Sequence, residues 1–238
     1  LFSPDRTSRC PQISPQCIST PPSPYNKLAW LENWQEFWKV LALRTEQLSA
    51  DHLYVSFDIA NYYDTLDLTL LENRPRATCP EESEAVNVLF DLLRSWNRAL
   101  RGYQETSKGI PMDMVGDMSR VLANFNLVGF DADFRADVEA AGGSFLRWAD
   151  DMFFTCTSRD LMIPLVYKAS NRLHSLGLNI NASKVRVRTK EEFLAAWRFD
   201  ILDKLSSEDT ASEGMELLQA SWNDGNYERK TTALKRSL

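Results

Sequence analysis

Two neighbouring aspartates separate a pair of short β-prone segments, and this arrangement limits the fold more than any other feature of the sequence. Ser144–Arg147 and Met152–Thr155 are mostly apolar or aromatic, and Ala149-Asp150-Asp151 lies between them. Two β-prone segments joined by such a short turn are typical of a β-hairpin. The sequence therefore predicts an antiparallel pair of strands with both carboxylates at its tip.

The segments around this hairpin alternate between helix and strand. Apolar periodicity predicts helices over Lys27–Leu48, Glu81–Arg101, Ser119 to Gly142-Gly143 and Arg159–Leu176, and strands over Leu53–Ile59 and Ile180–Thr189. Gly177 is expected to cap the fourth helix, the Ser- and Pro-rich residues 1–25 to form an extended arm, and the chain from Glu191 onward to be helical. This order favours an α+β domain, in which an antiparallel sheet carries helices on one face.

The composition excludes several classes of function. The 238 residues include only 9 Gly and neither of the common Gly-rich phosphate loops, and the two histidines, His52 and His174, lie too far apart to favour a His-rich zinc site. The net charge of −6 argues against nucleic-acid binding by bulk charge alone, although a local basic groove remains compatible with it. The four cysteines form no Cys-x-x-Cys pair, and no apolar run approaches the roughly 18 residues of a membrane span. A cytoplasmic protein with reduced thiols and no membrane contact is expected.

A third carboxylate lies at a strand end. Asp58 interrupts an otherwise apolar or aromatic strand, where an aspartate costs stability unless it is solvated, paired or bound to a cation. The adjacent Asp150 and Asp151 repel each other, and a divalent ion relieves such repulsion. If the strands are neighbours, three hard oxygen ligands converge at one sheet edge and suit Mg²⁺. A two-metal site there supports in-line phosphoryl displacement; a solvated Asp-Asp turn is the alternative.

Four sequence motifs enclose these aspartates. They are Phe57-Asp58-Ile59-Ala60-Asn61-Tyr62-Tyr63-Asp64; Gly109-Ile110-Pro111 followed by Ser119-Arg120-Val121-Leu122-Ala123-Asn124-Phe125; Phe145-Leu146-Arg147-Trp148-Ala149-Asp150-Asp151-Met152; and Gly177-Leu178-Asn179-Ile180-Asn181 with Lys184. In this order they resemble the catalytic motifs of reverse transcriptases, except that Trp148 replaces the usual Tyr and that residues 112–117 lengthen the second motif. The bacterial branches (group II intron, retron and phage-defence enzymes of the abortive-infection type) are the most similar, and Ser119-Arg120 favours the defence branch.

The resemblance implies a polymerase palm whose antiparallel sheet is backed by helices, with partial fingers before it and a short thumb-like segment after it. The implied boundaries are 1–50 for the N-terminal arm and helix, 51–190 for the palm and 191–238 for the helical thumb-like segment. The implied activity is RNA-directed DNA synthesis with two Mg²⁺ ions, or Mn²⁺, in bacterial anti-phage defence. The implied partners are dNTPs and an RNA template with a DNA or RNA primer or a non-coding RNA. Because the fingers and thumb are short, either further segments belong to a longer protein, or the enzyme depends on a protein partner or a second copy of the chain.

The resemblance also assigns roles to residues. Asp58, Asp150 and Asp151 would bind the metal ions, and Lys184 would protonate the pyrophosphate leaving group. The nucleotide would contact five consecutive residues, of which the first four lie along the triphosphate and the last excludes a ribose 2′-hydroxyl: Ile59, Ala60, Asn61, Tyr62 and Tyr63.

Basic residues follow the fourth motif in strict alternation. Lys184, Arg186, Arg188 and Lys190 alternate with apolar residues and a threonine, which places four cations on one face of a strand. Four like charges repel each other, so this face fits either a polyanion or a solvated surface. Arg120 and Arg147 near the aspartates are expected either to contact nucleic acid or to form structural ion pairs.

Other functions remain open from the sequence. The same site would serve template-independent or protein-primed synthesis, and the short fingers also fit a non-catalytic scaffold that binds RNA or protein. A metal-dependent nuclease is less favoured because no general base is visible. The tryptophan-rich helix face over Trp30–Leu43 suits a core as readily as an interface.

Overall fold

The computed structural model describes residues 29–78, 80–100, 108–111, 118–207 and 209–237. The predicted arm over residues 1–25 and the insertion over residues 112–117 lie outside the described residues. Within the described part of the chain, no helix is both long enough and apolar enough to cross a bilayer.

One antiparallel sheet of four strands, in the order β2-β3-β1-β4, organises the molecule. The strands are β1 (Leu53–Phe57), β2 (Phe145–Trp148), β3 (Asp151–Cys156) and β4 (Arg186–Arg188). The predicted hairpin is confirmed, because β2 pairs with β3 and Trp148 lies opposite Asp151. Strand β1 lies between β3 and β4 and pairs with both.

The last predicted strand is shorter than expected. Of Ile180–Thr189, only Arg186–Arg188 forms a strand, and a 3-10 turn occupies Ala182–Lys184. The hydroxyl of Ser183 donates a hydrogen bond to the side chain of Asn181 over 2.7 Å. Such a local bond competes with the ladder of a sheet, and β-propensity alone does not reveal it.

Ten helices surround the sheet in the described residues. They are α1 (Ala29–Gln47), α2 (Tyr62–Thr65), α3 (Leu68–Thr78), α4 (Ser83–Leu100), α5 (Met118–Ala140), α6 (Arg159–Ser175), α7 (Lys190–Trp197), α8 (Phe199–Ser206), α9 (Ala211–Ala220) and α10 (Lys230–Ser237). The predicted helices α1, α4, α5 and α6 are confirmed, and Gly177 closes α6 with a left-handed φ of 75°. Helix α3, which contains Pro75, was not predicted from the sequence.

The first face of the sheet packs beneath helices α5 and α6, and helices α3 and α4 extend the same core. It presents Val55, Phe57, Phe145, Met152, Phe154 and Cys156 to a core of aliphatic residues and phenylalanines. Phe134 of α5 is fully buried there, and its ring lies 5.0 Å from that of Phe145 and 5.5 Å from that of Phe154. This layer places the long helix α5 directly behind the hairpin.

The second face of the sheet is covered as well, by α1 and the C-terminal helices. It presents Tyr54, Leu146, Trp148 and Phe153 to an aromatic core. That core contains Trp34, Phe37 and Trp38 of α1 and Phe193 and Trp197 of α7. The antiparallel α+β sheet is therefore confirmed, but helices lie on both of its faces rather than on one. The tryptophan-rich face of α1 is core, as far as its side chains are described.

Candidate active site

The strand register brings the predicted carboxylates to one edge of the sheet. Phe57, the last residue of β1, lies opposite Met152 of β3, so the next residue, Asp58, lies opposite Asp151. Asp150 directly precedes β3 in the tight turn after β2. Asp58 is buried, whereas the side chain of Asp151 is 40% exposed. Two strands that are distant in sequence thus place three carboxylates side by side.

A buried ion pair holds the turn that carries Asp150. Arg147 is fully buried and donates two hydrogen bonds to Asp131 of α5, from Nε over 2.8 Å and from Nη2 over 2.6 Å. Its Nη1 donates to the carbonyl of Ala149 over 2.7 Å and to the side chain of Asn124 over 2.8 Å. Ala149 adopts a left-handed φ of 52°, a conformation that is costly for a residue other than glycine. The guanidinium of Arg147 therefore fixes the residue directly before Asp150.

This placement corrects the prediction that Arg147 contacts nucleic acid. A guanidinium that is fully buried and bonded to Asp131, Asn124 and Ala149 presents no donor to an external phosphate. The alternative, a structural ion pair, describes it correctly. Arg120 is half-buried on α5, and its proposed contact with nucleic acid stays a prediction.

Lys184 supplies a cation to the buried aspartate. Its Nζ donates a hydrogen bond to Oδ2 of Asp58, and the ion pair raises the pKa of the Lys184 ammonium group. The other oxygen, Oδ1 of Asp58, is buried and has no hydrogen-bond partner among the described residues. An unpartnered carboxylate oxygen in the interior is costly unless another group satisfies it.

The other two carboxylates are held in an unfavourable electrostatic setting. Burial raises the pKa of Asp150, and the negative charge of Asp58 raises it further. Burial also raises the pKa of Asp151; Arg229 opposes this rise, while Asp150 and Asp58 add to it. A cation that approaches such a carboxylate stabilises its ionised form.

The three carboxylates have some of the features of a divalent-cation site. In the described part of the chain, no three or more His, Cys, Asp or Glu side chains are arranged to hold a metal ion as they stand. Two features nevertheless fit one: the unpartnered Oδ1 of Asp58, and the mutual repulsion of the three carboxylates. All three are hard oxygen donors, the type that Mg²⁺ prefers. Lys184 binds the second oxygen of Asp58, so a full ligand set requires the side chain of Lys184 to move. That side chain is 62% exposed.

The fourth motif fixes the backbone that follows Asp58. The amide of Ala60 donates to the carbonyl of Asn179 over 2.8 Å, and the amide of Asn181 donates to the carbonyl of Asp58 over 2.9 Å. Ile59 forms an isolated β-bridge with Ile180, and Asn61 then turns the chain through a left-handed φ of 48°. This turn starts α2 immediately beside the carboxylates.

The two tyrosines of the first motif have different surroundings. Tyr62 is buried, and its hydroxyl donates to the carbonyl of Ala123 in α5. Tyr63 is half-buried against the first core, and its backbone carbonyl accepts a bond from Ile110 over 2.9 Å. Burial raises the pKa of Tyr63, and the charge of Asp150 adds to the rise. Tyr62 is a core residue, and Tyr63 borders the site.

The alternating basic residues do not form one free cationic face. Lys190 donates to the carbonyls of Glu46 and Leu48 near the C-terminus of α1, and Lys184 pairs with Asp58. Arg188 donates to Glu228 and to the hydroxyl of Ser56. Arg186 is exposed on the edge strand β4 and donates to the carbonyls of Ser183 and Val185. The predicted contacts of Arg186 and Arg188 with nucleic acid stay predictions.

Sequence reasoning missed one cation at the site. Arg229 precedes α10, and its Nη1 lies 3.9 Å from Oδ2 of Asp151. Its guanidinium carbon lies 4.4 Å from the centre of the Trp197 ring. Arg229 is 78 residues away from Asp151 in the sequence, in a basic helical segment with no motif, so no local pattern marks it.

Comparisons with known proteins bear on the family. A family model described as reverse transcriptase (RNA-dependent DNA polymerase) matches residues 16–210. No curated protein sequence matches the chain. Similar solved structures include apo telomerase from Candida tropicalis, with 12% identity, a TM-score of 0.49 and coverage of 79% of this chain and 37% of that chain.

Two further telomerase structures from the same organism are similar. The apo protein truncated from its C-terminal domain has 15% identity and a TM-score of 0.45, and the match covers 68% of this chain and 35% of that chain. The complex with a TWJ fragment of telomeric RNA has 16% identity and a TM-score of 0.46, with 65% and 29% covered. The chain thus spans between 29% and 37% of the length of these telomerase chains.

Proposed function

Because the chain belongs to the reverse transcriptase (RNA-dependent DNA polymerase) family, we propose that it synthesises DNA on an RNA template. The reaction transfers deoxynucleotides from dNTPs to the 3′-hydroxyl of a primer strand. The observation that carries the proposal is the sheet register, which sets Asp58 opposite Asp151 and beside Asp150. Burial raises the pKa values of Asp150 and Asp151, and carboxylates perturbed in this way are typical of functional sites.

Asp58, Asp150 and Asp151 would hold two Mg²⁺ ions, or Mn²⁺ in their place. When bound, such ions neutralise the charge that develops on the phosphoryl oxygens. The buried Asp58 supplies an unpartnered oxygen for this purpose, and Arg147 orients the Asp150 turn. Most of the catalysis then comes from positioning and from charge stabilisation, as in phosphoryl transfer generally.

Lys184 and the backbone from Ile59 to Tyr62 would serve the triphosphate. Lys184 is 62% exposed and carries a protonated ammonium beside the carboxylates, so it can move to the leaving pyrophosphate and donate a proton there. Tyr63 would exclude ribonucleotides if its ring, which is half-buried against the first core, lies under the sugar of the incoming nucleotide.

The resemblance of the motifs to bacterial defence enzymes extends the proposal to a biological role. We place the chain in an anti-phage system of the bacterial cytoplasm, where its template and primer are RNA or a dedicated non-coding RNA.

The experiment that tests the proposal measures incorporation of labelled dNTPs by the purified protein. It compares primed RNA, primed DNA and no nucleic acid, with Mg²⁺, Mn²⁺ or a chelator. The key variant is Asp150→Asn/Asp151→Asn, and the matched control is Asp91→Asn/Asp203→Asn, which removes two carboxylates from exposed helix positions.

Each outcome has a distinct meaning. Incorporation that needs a primed template and a divalent ion, and that only the Asp150→Asn/Asp151→Asn variant loses, supports the proposal. Incorporation without nucleic acid indicates protein priming at the same site. If wild-type protein binds primed RNA but incorporates nothing with either ion, the polymerase proposal is wrong and a non-catalytic scaffold replaces it.

A further inference from the structure

Helix α4 is apolar on two faces, and only one of them lies in the core. The buried face consists of Val86, Phe90 and Leu93. The other face carries Val88, Leu92 and Trp96, which are 60%, 64% and 49% exposed. These three residues follow one another at intervals of four, so they form one continuous row along the helix, here called the α4 stripe. Single exposed apolar residues are ordinary, but a contiguous row of large ones marks an interaction surface.

Hydrogen bonds to helix α3 hold α4 in one orientation. Nη2 of Arg94 donates to Oε2 of Glu72 in α3, and Nη2 of Arg76 in α3 donates to Oδ1 of Asn87 in α4. Glu72 is buried and also accepts from Arg76. Rotating α4 to bury the α4 stripe would break this network and remove Phe90 from the core, so the stripe stays on the surface.

The α4 stripe complements itself when two copies of the helix run in opposite directions. A two-fold axis at Leu92 places Val88 of one copy opposite Trp96 of the other and Leu92 opposite Leu92. A small side chain then meets a large one on each side of the axis, as close packing requires. A parallel pair would set Trp96 against Trp96 and leave a gap between the two valines.

The charges along α4 favour the same antiparallel arrangement. Glu84 lies in the first turn of the helix, whereas its two basic residues, Arg94 and Arg98, lie in the second half. Arg98 follows Glu84 by 14 residues, close to four helical turns, so the two positions share one side of the helix. With the axis at Leu92, Glu84 of one copy lies within about 3 Å of Arg98 of the other, measured along the helix. An antiparallel pair thus joins opposite charges, and a parallel pair joins like charges.

We propose that the α4 stripe is the interface of a symmetric homodimer, in which two copies of α4 pack antiparallel about Leu92. Helix α3 and the first core present the stripe, and the charges of Glu84 and Arg98 set its direction. One helix from each copy makes a small interface, so association is expected at micromolar concentrations. The inference goes beyond the proposed polymerase function, and its test needs neither nucleotide nor nucleic acid.

The test measures the mass of the purified protein in solution by sedimentation velocity, at concentrations from about 1 to 100 μM. The wild type is expected to shift from the mass of one chain to that of two. Leu92→Glu sets two carboxylates against each other at the axis, so it should weaken association at least tenfold. The matched control is Ile163→Glu, because Ile163 on α6 is an aliphatic residue that is also 64% exposed.

A second arm tests the direction of the pair. Glu84→Arg and Arg98→Glu each set like charges against each other in an antiparallel dimer, so each variant should associate with itself more weakly than the wild type. In an equimolar mixture of the two variants, every charge meets its opposite, and dimers should form again. In a parallel pair neither single change would add a repulsion, because like charges already meet there.

Three results would overturn the inference. A wild-type protein that stays monomeric up to 100 μM shows that another segment of the chain, or a different protein, covers the α4 stripe. A dimer that folded Leu92→Glu leaves intact, or that Ile163→Glu disrupts equally, has its interface elsewhere. Single charge variants that associate like the wild type contradict the antiparallel arrangement. Thermal unfolding checks that each variant is folded, and if Leu92→Glu is not, the charge variants decide.

Discussion

The two faces of the sheet are built from different residues and serve the site in different ways. The first face buries aliphatic residues and phenylalanines beneath α5, and from α5 Asp131 reaches Arg147 and fixes the Asp150 turn. The second face buries tryptophans and other rings between α1 and α7, and its contact with the site passes through Arg229 and Trp197. The first face thus fixes the position of Asp150 through Arg147. The second face holds Arg229, whose charge lies beside Asp151.

The largest expected effect comes from breaking the buried ion pair of the first face. Arg147→Met leaves Asp131 buried and unpaired, and such a loss destabilises a protein by about 3–5 kcal/mol. Chemical denaturation measures this change in the free energy of unfolding. In the double variant Arg147→Met/Asp131→Leu, much of the stability is expected to return, because no uncompensated charge remains.

Measuring dNTP incorporation in the same variants shows whether Arg147 positions the Asp150 turn in addition to stabilising the fold. The double variant still lacks the donor to the carbonyl of Ala149, so dNTP incorporation should stay low even where the protein is fully folded. Recovery of both stability and incorporation would show that the ion pair only stabilises the fold. The first face would then not be needed to position the carboxylates.

The second face is expected to respond to Trp34→Ala with a smaller loss of stability, about 3 kcal/mol. Trp34 is 7% exposed, and its ring lies 5.1 Å from Trp148 and 5.5 Å from Phe37, so truncation leaves a cavity among aromatic rings. Denaturation checks the loss, with Leu43→Ala on the exposed side of α1 as a control of little effect. At temperatures where Trp34→Ala is folded, its incorporation rate should match the wild type; a large drop would mean that α1 takes part in the site itself.

The sequence predicted the first face far better than the second. Asp58, the hairpin and the long helix α5 follow from local patterns: an acidic residue at a strand end, paired β-prone segments, and apolar periodicity. Arg229 and the aromatic core depend on contacts between residues far apart in the chain, such as Trp34 with Trp197. No local pattern encodes such pairs, since tertiary packing decides them.

Arg147 shows the same limit within a single motif. Its position beside Asp150 was visible in the sequence, and a contact with nucleic acid was one natural interpretation. Whether it faces solvent or the core depends on Asp131 of α5, a residue 16 positions earlier in the sequence. The partner and not the motif decides the role of the arginine.

Tyr63, on the first face, is expected to control the choice between dNTPs and ribonucleotides. Tyr63→Ala removes the ring that packs on the first core beside Asp150, and so should admit ribonucleotides. The loss of one steric contact is worth about 1–3 kcal/mol, which is roughly 10–200-fold in the ratio of kcat/KM for dNTPs over ribonucleotides. Tyr63→Phe, which keeps the ring, is the control and should retain the discrimination. An unchanged ratio in Tyr63→Ala would place the sugar elsewhere.

The smallest expected effect comes from the charge of the site. The folded state raises the pKa of Asp150 through burial and through Asp58, so the protein loses stability as the pH rises from the unfolded pKa through the folded pKa. Asp150→Asn should therefore be more stable than the wild type at neutral pH, and the gain should vanish as the pH falls towards the unfolded value of about 3.9. Thermal unfolding between acid and neutral pH measures the gain.

Mg²⁺ should raise the Tm of the wild type more than that of the variant, because the ion relieves the same repulsion. A stability gain that persists in acid, or an equal rise in Tm with Mg²⁺, would contradict this prediction. It would mean that the packing of Asp150, and not its charge, lowers the stability of the wild type.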